Sequence, residues 1–187
     1  RGEGMSHAVF TPRDADTLAA VAERAGALGL GVEPGADRLT LASRRRLGGL
    51  AIAVERTPPR LLGRRQFAEK ALLPCQKLFH IGMVVRDREA AIDSFQSLLG
   101  IDGFVRMELH TDQGLRVWID GQAVEHHART AFGRVGTFAC ELMEPLGGDG
   151  LYQRFLAAHG EWPQHYFPTI LGPADFAAVR PALADIG

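Results

Sequence analysis

The chain has 187 residues, of which 46% are hydrophobic and 23% are charged, and its formal net charge at pH 7 is −1. This is the composition of an ordinary globular protein with one or two domains and a sizeable core. The balanced charge gives no overall electrostatic footprint for nucleic acid, although basic residues gather at 44–46 and between 56 and 70. Those local clusters indicate either a solvated turn and a basic linker, or a substrate that carries phosphate.

Two cysteines, Cys75 and Cys140, are too few for a disulfide scaffold or a cysteine-based metal site, which favours a reducing cytoplasm. The sequence contains no apolar run of about 18 residues, the minimum for a membrane helix. Its start shows no charged segment followed by an apolar stretch and a small-residue cleavage site. We therefore predict a cytoplasmic protein without a nucleic-acid or membrane partner.

One structural unit, a strand that opens on histidine and leads into an amphipathic helix, starts three times along the chain. The three openings lie at His7, His80 and His165, and each is followed by an aspartate and a helical apolar pattern. Two of these histidines end similar six-residue segments, GEGMSH at residues 2–7 and GEWPQH at residues 160–165. Such self-similarity indicates a fold built from copies of one supersecondary unit.

The first unit, a half-module over residues 1–57, has a strand at His7 and then apolar residues at three- and four-residue spacing. That spacing predicts a helix over 18–28, with aspartates before it as caps and glycines after it as stop signals. Segments 38–42 and 50–54 alternate as strands do. The unit is therefore expected to be β-α-β-β, with room for one more short strand.

Residues 58–77 begin with a proline pair and carry several basic groups, which predicts a linker. The pattern restarts over 78–148, where a helix stripe lies between Asp87 and Gly100. Strands are expected after that helix at 104–109, 115–119 and 130–143, which makes this half-module β-α-β-β-β. The remaining residues, 149–187, are expected to hold a connecting helix and the start (β-α) of a further half-module. The sheet is expected to break at 145–150, and Pro181 predicts a kink in the last helix, over 176–186.

Histidines that open strands can meet carboxylates from neighbouring strands, because alternate side chains of a strand face the same side of a sheet. Glu141 lies among apolar residues, where burial of a carboxylate is costly unless it is paired or bound to metal. We therefore pair His80 with Glu141, and by the same logic His7 with Glu55. Imidazole and carboxylate ligands together suit zinc, iron, cobalt, manganese or nickel.

Four segments carry a resemblance to a known family: HIGMVVRD at 80–87, FQSLLG at 95–100, ELMEPLG at 141–147 and GEWPQH at 160–165. Their order and approximate spacing resemble the vicinal oxygen chelate superfamily, in the branch that holds methylmalonyl-CoA epimerase and glyoxalase-like enzymes. The resemblance implies an α+β fold in which βαβββ half-modules pair into cupped mixed sheets around a divalent metal ion.

At matching positions the resemblance implies His80, Glu141 and His165 as metal ligands. His7 occupies the same ligand position in the first unit, where Glu55 lies two residues beyond the family's carboxylate position. The family's fourth ligand has no counterpart, because the sequence ends before that strand. Two architectures are open. Either the first two units pair and use His7, His80 and Glu141, or the chain is an excerpt of a longer tandem protein that groups His80, Glu141 and His165.

The resemblance also implies a function, a metal-dependent isomerase or epimerase acting through an enolate on a small carboxylic acid or acyl thioester, including CoA thioesters. Glu141 would then be a metal ligand and also the catalytic base. A glyoxalase-type lyase, a ring-cleaving dioxygenase and a metal-free small-molecule binding or resistance protein are the alternatives on this fold. Unpaired half-units expose sheet edges, which predicts a homodimer.

Other residues are expected to have structural rather than chemical roles. The histidines at 110, 126, 127 and 159 are expected at the surface. Of these, His126 or His127, in a loop near the mouth of the cupped sheet, could instead contact substrate. Four aromatic side chains could line a pocket, but we expect them to pack in the core: Trp118, Trp162, Tyr166 and Phe167.

Overall fold

The structure is a computed structural model of the chain. It describes residues 7–12, 18–41, 47–56, 77–136 and 138–169, together with positions 177, 179–181 and 184. Residues 58–76 of the expected linker, the aspartates before the first helix and most of the expected last helix lie outside these residues, while Lys77 begins a strand. No helix within the described ranges is long and apolar enough to cross a membrane.

The first part of the chain forms a four-stranded sheet with one helix. Its elements are β1 (His7–Phe10), α1 (Leu18–Ala27), β2 (Val32–Pro34), β3 (Arg38–Leu41) and β4 (Ala51–Glu55). The strand order is β1-β4-β3-β2, with β1 parallel to β4 and the other neighbours antiparallel. The additional short strand that the sequence allowed is β2.

The second part forms a five-stranded sheet. Its elements are β5 (Lys77–Val84), α2 (Arg88–Leu99), β6 (Val105–His110), β7 (Trp118–Ile119), β8 (Gln122–Ala123), β9 (His126–Val135), β10 (Phe138–Gly148), α3 (Leu151–His159) and β11 (Trp162–Thr169). The strand order is β11-β5-β10-β9-β6, while β7 and β8 form a separate hairpin. Strands β5, β10, β9 and β6 therefore repeat the order of the first sheet, and β11 adds to the outer edge of β5.

Helix α2 shows why the second unit was clear from its sequence. The Asp87 side chain accepts a hydrogen bond from the backbone N–H of Ala90, and Gly100 ends the helix in the left-handed region at φ 65°. The predicted stripe faces the core, with Ala91, Ile92, Phe95 and Leu98 buried. The predicted helix and both of its end signals are confirmed.

Two strand predictions were wrong in their limits. Segment 130–143 is part of a hairpin, β9 and β10, and β10 continues through Gly148 instead of breaking at Pro145. A register shift between Pro145 and Gly147 lets the strand pass the proline, since a bulge relieves its missing N–H. Only Trp118–Ile119, the end of segment 115–119, is a strand, and it pairs with β8 outside the five-stranded sheet.

A single apolar core joins the two sheets and their helices. It includes Ala25 of α1, Ile52 of β4, Met83 of β5 and Phe95 of α2, all of them fully buried. The parts meet closely at Gly48, where an added Cβ would lie 3.0 Å from the Cβ of Met83. The backbone at Gly48 also has φ 57°, so both space and conformation favour glycine there.

Candidate metal centre

The candidate site is formed by three neighbouring strands. Strand β5, which carries His80, lies between β10, which carries Glu141, and β11, which carries His165. It pairs in parallel with β10, where Glu141 is opposite Gly82, and antiparallel with β11, where His165 is also opposite Gly82. His80 lies two residues from Gly82 and therefore on the same face. The register thus brings His80, Glu141 and His165 together on one face of the sheet.

The three side chains place three donor atoms within contact of one another. His80 Nε2 lies 2.9 Å from His165 Nε2, and Glu141 Oε2 lies 3.2 Å from each of these nitrogens. Two ligand atoms about 2.1 Å from one ion are about 3.0 Å apart at a right angle and about 3.4 Å apart in a tetrahedron. The separations therefore suit a single divalent ion bound by two nitrogens and one oxygen.

Gly82 provides the space into which the His165 ring leans. A Cβ atom added at residue 82 would lie 2.6 Å from both Nδ1 and Nε2 of His165, and closer still to Cε1. Cβ atoms in proteins essentially never come within 3.0 Å of a non-bonded atom, so a side chain at residue 82 would clash with this ring. The absence of a side chain at residue 82 is thus what allows His165 to reach His80 and Glu141.

Burial favours the neutral, ligand form of His80. The residue exposes 7% of its surface, and burial lowers its pKa; Glu141 acts in the opposite direction and His165 lowers the pKa further. Metal ligation requires an unprotonated imidazole nitrogen, so this environment suits a ligand. His165 Nδ1 lies 2.6 Å from Gln164 Oε1, an outer contact that orients its ring. His80 Nδ1 is buried and has no hydrogen-bond partner within the described residues.

Aromatic rings surround His80. Phe167 stacks on it with ring centroids 5.2 Å apart, and Phe132 meets it edge-on at 5.5 Å. Phe167 is nevertheless 54% exposed, Tyr166 is 64% exposed and Trp118 is 57% exposed, so the expectation of core packing was wrong for these three. Tyr166 and Phe167 lie on β11, at one edge of the five-stranded sheet, and Trp118 lies on the separate β7-β8 hairpin.

Two further residues lie on the side of the sheet that carries Glu141: His126, which was expected at the surface or in a loop, and Tyr152, which sequence reasoning did not name. His126 exposes 5% of its surface, so its expected place at the surface was wrong, and its ring meets Tyr152 edge-on at 5.0 Å. Burial, and then the charge of Glu141, raise the pKa of Tyr152 to about 12. The signal that could have found His126 is strand alternation. Phe132 is opposite Glu141, and His126, six positions earlier in the same strand, faces the same side.

The backbone register of the first unit does not place Glu55 opposite His7. His7 is opposite Ala51 in the backbone register, and its side chain lies outside the described part of the structure. Glu55 is four positions further along β4, or about 13 Å away at the usual rise of a strand. It accepts a hydrogen bond of 3.0 Å from Arg38. The expectation that His7 lies opposite Glu55 was therefore wrong in the backbone register.

Residues 79–168 match the family model described as Glyoxalase/Bleomycin resistance protein/Dioxygenase superfamily, over just under half of the chain. This segment belongs to that superfamily. It is the vicinal oxygen chelate superfamily, so the resemblance and the α+β fold expected from the sequence are confirmed. The matched segment contains His80, Glu141 and His165.

Several solved structures are similar to the chain. A methylmalonyl-CoA epimerase in complex with methylmalonyl-CoA and NH4+ has 23% identity and a TM-score of 0.45, over 58% of this chain and 70% of that chain. The methylmalonyl-CoA epimerase from Mycobacterium tuberculosis has 22% identity and a TM-score of 0.42, over 63% and 70%. A glyoxalase/bleomycin resistance protein/dioxygenase from Alicyclobacillus acidocaldarius has 16% identity and a TM-score of 0.36, over 77% and 92%. The search of curated proteins gave no match.

Proposed function

We propose that this chain carries the metal centre of a divalent-metal-dependent isomerase or epimerase. The enzyme would act through an enolate on a small carboxylic acid or acyl thioester. The observation that supports the proposal is the donor set of His80, Glu141 and His165, whose mutual distances of 2.9 and 3.2 Å suit one ion. Once bound, a divalent ion would supply Lewis-acid polarisation of two neighbouring substrate oxygens.

The charges of the donor set favour an anionic substrate oxygen. Two neutral imidazoles and one carboxylate would leave one positive charge of a divalent ion uncompensated, and this charge would attract a developing enolate. Phe132 and Phe167 pack against His80, and these apolar rings would lower the local dielectric constant and strengthen that attraction.

Glu141 is the one buried carboxylate within the described residues, which makes it the proposed base. Its Oε2 faces the two histidine nitrogens, so we assign Oε1 to take the proton from the substrate carbon. As the C–H bond breaks, its electron pair passes into the enolate. A proton from solvent water, delivered to the opposite face, completes the inversion, and Glu141 returns its proton to solvent. Tyr152, whose pKa is raised to about 12, stays protonated and can donate a hydrogen bond to substrate.

Solvent deuterium exchange tests this proposal. Metal-loaded protein is incubated in D₂O with methylmalonyl-CoA and with simpler 2-substituted acids, and deuterium at the acidic carbon is followed by mass spectrometry. His80→Ala and Glu141→Gln should slow exchange by about 100-fold or more. His159→Ala is the matched control, since that ring packs on Phe155 at the end of α3. Exchange that is equally fast in His80→Ala would refute the assignment.

A ring-cleaving dioxygenase is the second candidate, because two histidines and one carboxylate on one side of an ion are the ligands of non-haem iron oxygenases. Elemental analysis of the purified protein separates the two functions. Iron that disappears in His80→Ala, with catechol-dependent oxygen uptake, would favour the dioxygenase. Cobalt, manganese, nickel or zinc that is lost in the same variant would favour the isomerase or a glyoxalase-type lyase. Absence of binding by every ion would favour a metal-free binding protein.

The homodimer stays a prediction. The face that carries the donor set also exposes Val105 by 62% and Met107 by 42%, and apolar side chains of this kind are commonly covered by a partner. Light scattering at micromolar concentration decides whether the chain is a dimer or a monomer.

A further inference from the structure

A second cluster of metal-ligating side chains lies on the other face of the five-stranded sheet. His110 ends β6 and is opposite His127 in β9, while Asp112 follows in the 3₁₀ turn. His127 is five positions from Phe132, the residue opposite Glu141, so strand alternation directs it away from the first centre. The cluster is therefore separate from the donor set of the proposed active site.

The histidine nitrogens of this cluster face each other. His110 Nδ1 lies 3.0 Å from His127 Nδ1, and His127 Nδ1 lies 3.8 Å from Asp112 Oδ1. The 3.0 Å separation equals that of two ligands at a right angle around an ion about 2.1 Å from each. Asp112 is 70% exposed, so its side chain has room to close the longer distance.

Outer carboxylates determine which nitrogen of each ring carries the proton. His127 Nε2 lies 2.9 Å from Glu125 Oε1, and His110 Nε2 lies 3.2 Å from Glu108 Oε2. An ionised carboxylate only accepts hydrogen bonds, so each Nε2 must be the N–H nitrogen. In the neutral rings the two Nδ1 lone pairs then point at each other across 3.0 Å, an unfavourable contact that a cation between them would remove.

We propose that His110, His127 and Asp112 form a second binding site, for a divalent transition-metal ion such as zinc. Imidazole nitrogens select zinc, nickel, cobalt or copper over magnesium and calcium. The outer glutamates reproduce the carboxylate–histidine–metal arrangement that orients ligands in metal sites. The charged groups around the two rings have a formal charge of −2, which a divalent ion would balance. They are the carboxylates of Glu108, Asp112 and Glu125 and the guanidinium of Arg129, which lies 3.7 Å from Glu108.

The site would connect the end of β6 to the start of β9. Between these strands lie the 3₁₀ turn and the β7-β8 hairpin, and Thr111 Oγ1 accepts a hydrogen bond of 3.1 Å from the backbone N–H of His126. A bound ion would hold this connection closed. Its role is thus structural, and it differs from that of the donor set around Glu141.

Counting zinc ions tests the proposal. After dialysis against Zn²⁺ and removal of excess, elemental analysis should give two ions per chain for the wild type, one for His127→Ala and one for His80→Ala, with two retained in the control His159→Ala. If the wild type binds one ion that His127→Ala loses and His80→Ala keeps, the second site stands and the proposed active site fails. An unchanged zinc count in His127→Ala would overturn the second site.

Histidine-ring NMR of the wild-type protein tests the second site without relying on a variant that must still fold. Zinc should shift the Nδ1 signals of His110 and His127 while each Nε2 keeps its proton, and Mg²⁺ at the same concentration should leave both rings unchanged. Glu125→Gln should weaken zinc affinity at this site by about 10–100-fold while the count stays the same. Signals unaffected by zinc would show that the rings share only a proton and would overturn the proposal.

Discussion

Substitution of Gly82 by alanine should damage the proposed active centre without unfolding the protein. The new methyl group would lie 2.6 Å from Nδ1 and Nε2 of His165, whereas such atoms in contact need roughly 3.5 Å, so the ring must move by about 1 Å. His165 is 30% exposed, so the ring can turn toward solvent, away from Glu141. Because a misplacement of about 1 Å commonly costs about 100-fold, we expect zinc affinity and deuterium exchange to fall by about that factor.

A double-mutant cycle tests the physical cause. In a His165→Ala background the three atoms nearest to the new methyl group are removed, so Gly82→Ala should lower the free energy of unfolding in urea by less than it does with the His165 ring present. Zinc affinity at this centre is measured in the His127→Ala background, so that the second site does not contribute. The reasoning is refuted if Gly82→Ala binds zinc like its parent, or if its stability cost is the same with and without the His165 ring.

Three further predictions concern stability and reactivity. Phe95 is fully buried, so Phe95→Ala should lower the free energy of unfolding by about 3–5 kcal/mol, while the exposed control Gln96→Ala should change it by less than about 0.5 kcal/mol. Burial lowers the pKa of His80 below 6.5, so the unfolded chain takes up a proton that the folded chain resists. Stability of the metal-free protein should therefore be lost as pH falls below 6.5, and urea unfolding at pH 7.5 and 5 should show a smaller loss in His80→Gln. Burial raises the pKa of Cys140 to about 12, so iodoacetamide at pH 8 should label its peptide only after urea is added, as peptide mass spectrometry would show.

Local signals explain which parts of the fold were predictable. Helix α2 has its cap, its stop and its apolar stripe within one short segment, so neighbouring residues alone determine it. The continuation of β10 past Pro145 depends instead on a bulge against β9, which is a property of the pair of strands. The proline and glycines over 145–150 had instead predicted that the sheet breaks there.

The candidate site was predictable in its residue types but not in its geometry. His80 and His165 open repeated strands, and Glu141 is a carboxylate that an apolar strand would not carry without a partner. Gly82 was not recognised, because its importance appears only when Glu141 and His165 are both found opposite it. The contact of His110 with His127 likewise follows from the pairing of β6 with β9, which sequence spacing does not specify.

The position of β11 has a consequence for the order in which the site assembles. This strand pairs only with β5 among the described strands, and it brings together residues 85 positions apart, His80 and His165. Because closing a long loop costs entropy before its contacts form, long-range pairing is slow, and we expect β11 to dock on a sheet already built from residues 77–148. Amide hydrogens of β11 should then exchange before those of β10, and a metal ion held by both histidines would slow that opening. The proposed centre would therefore be completed late in folding and lost early in unfolding.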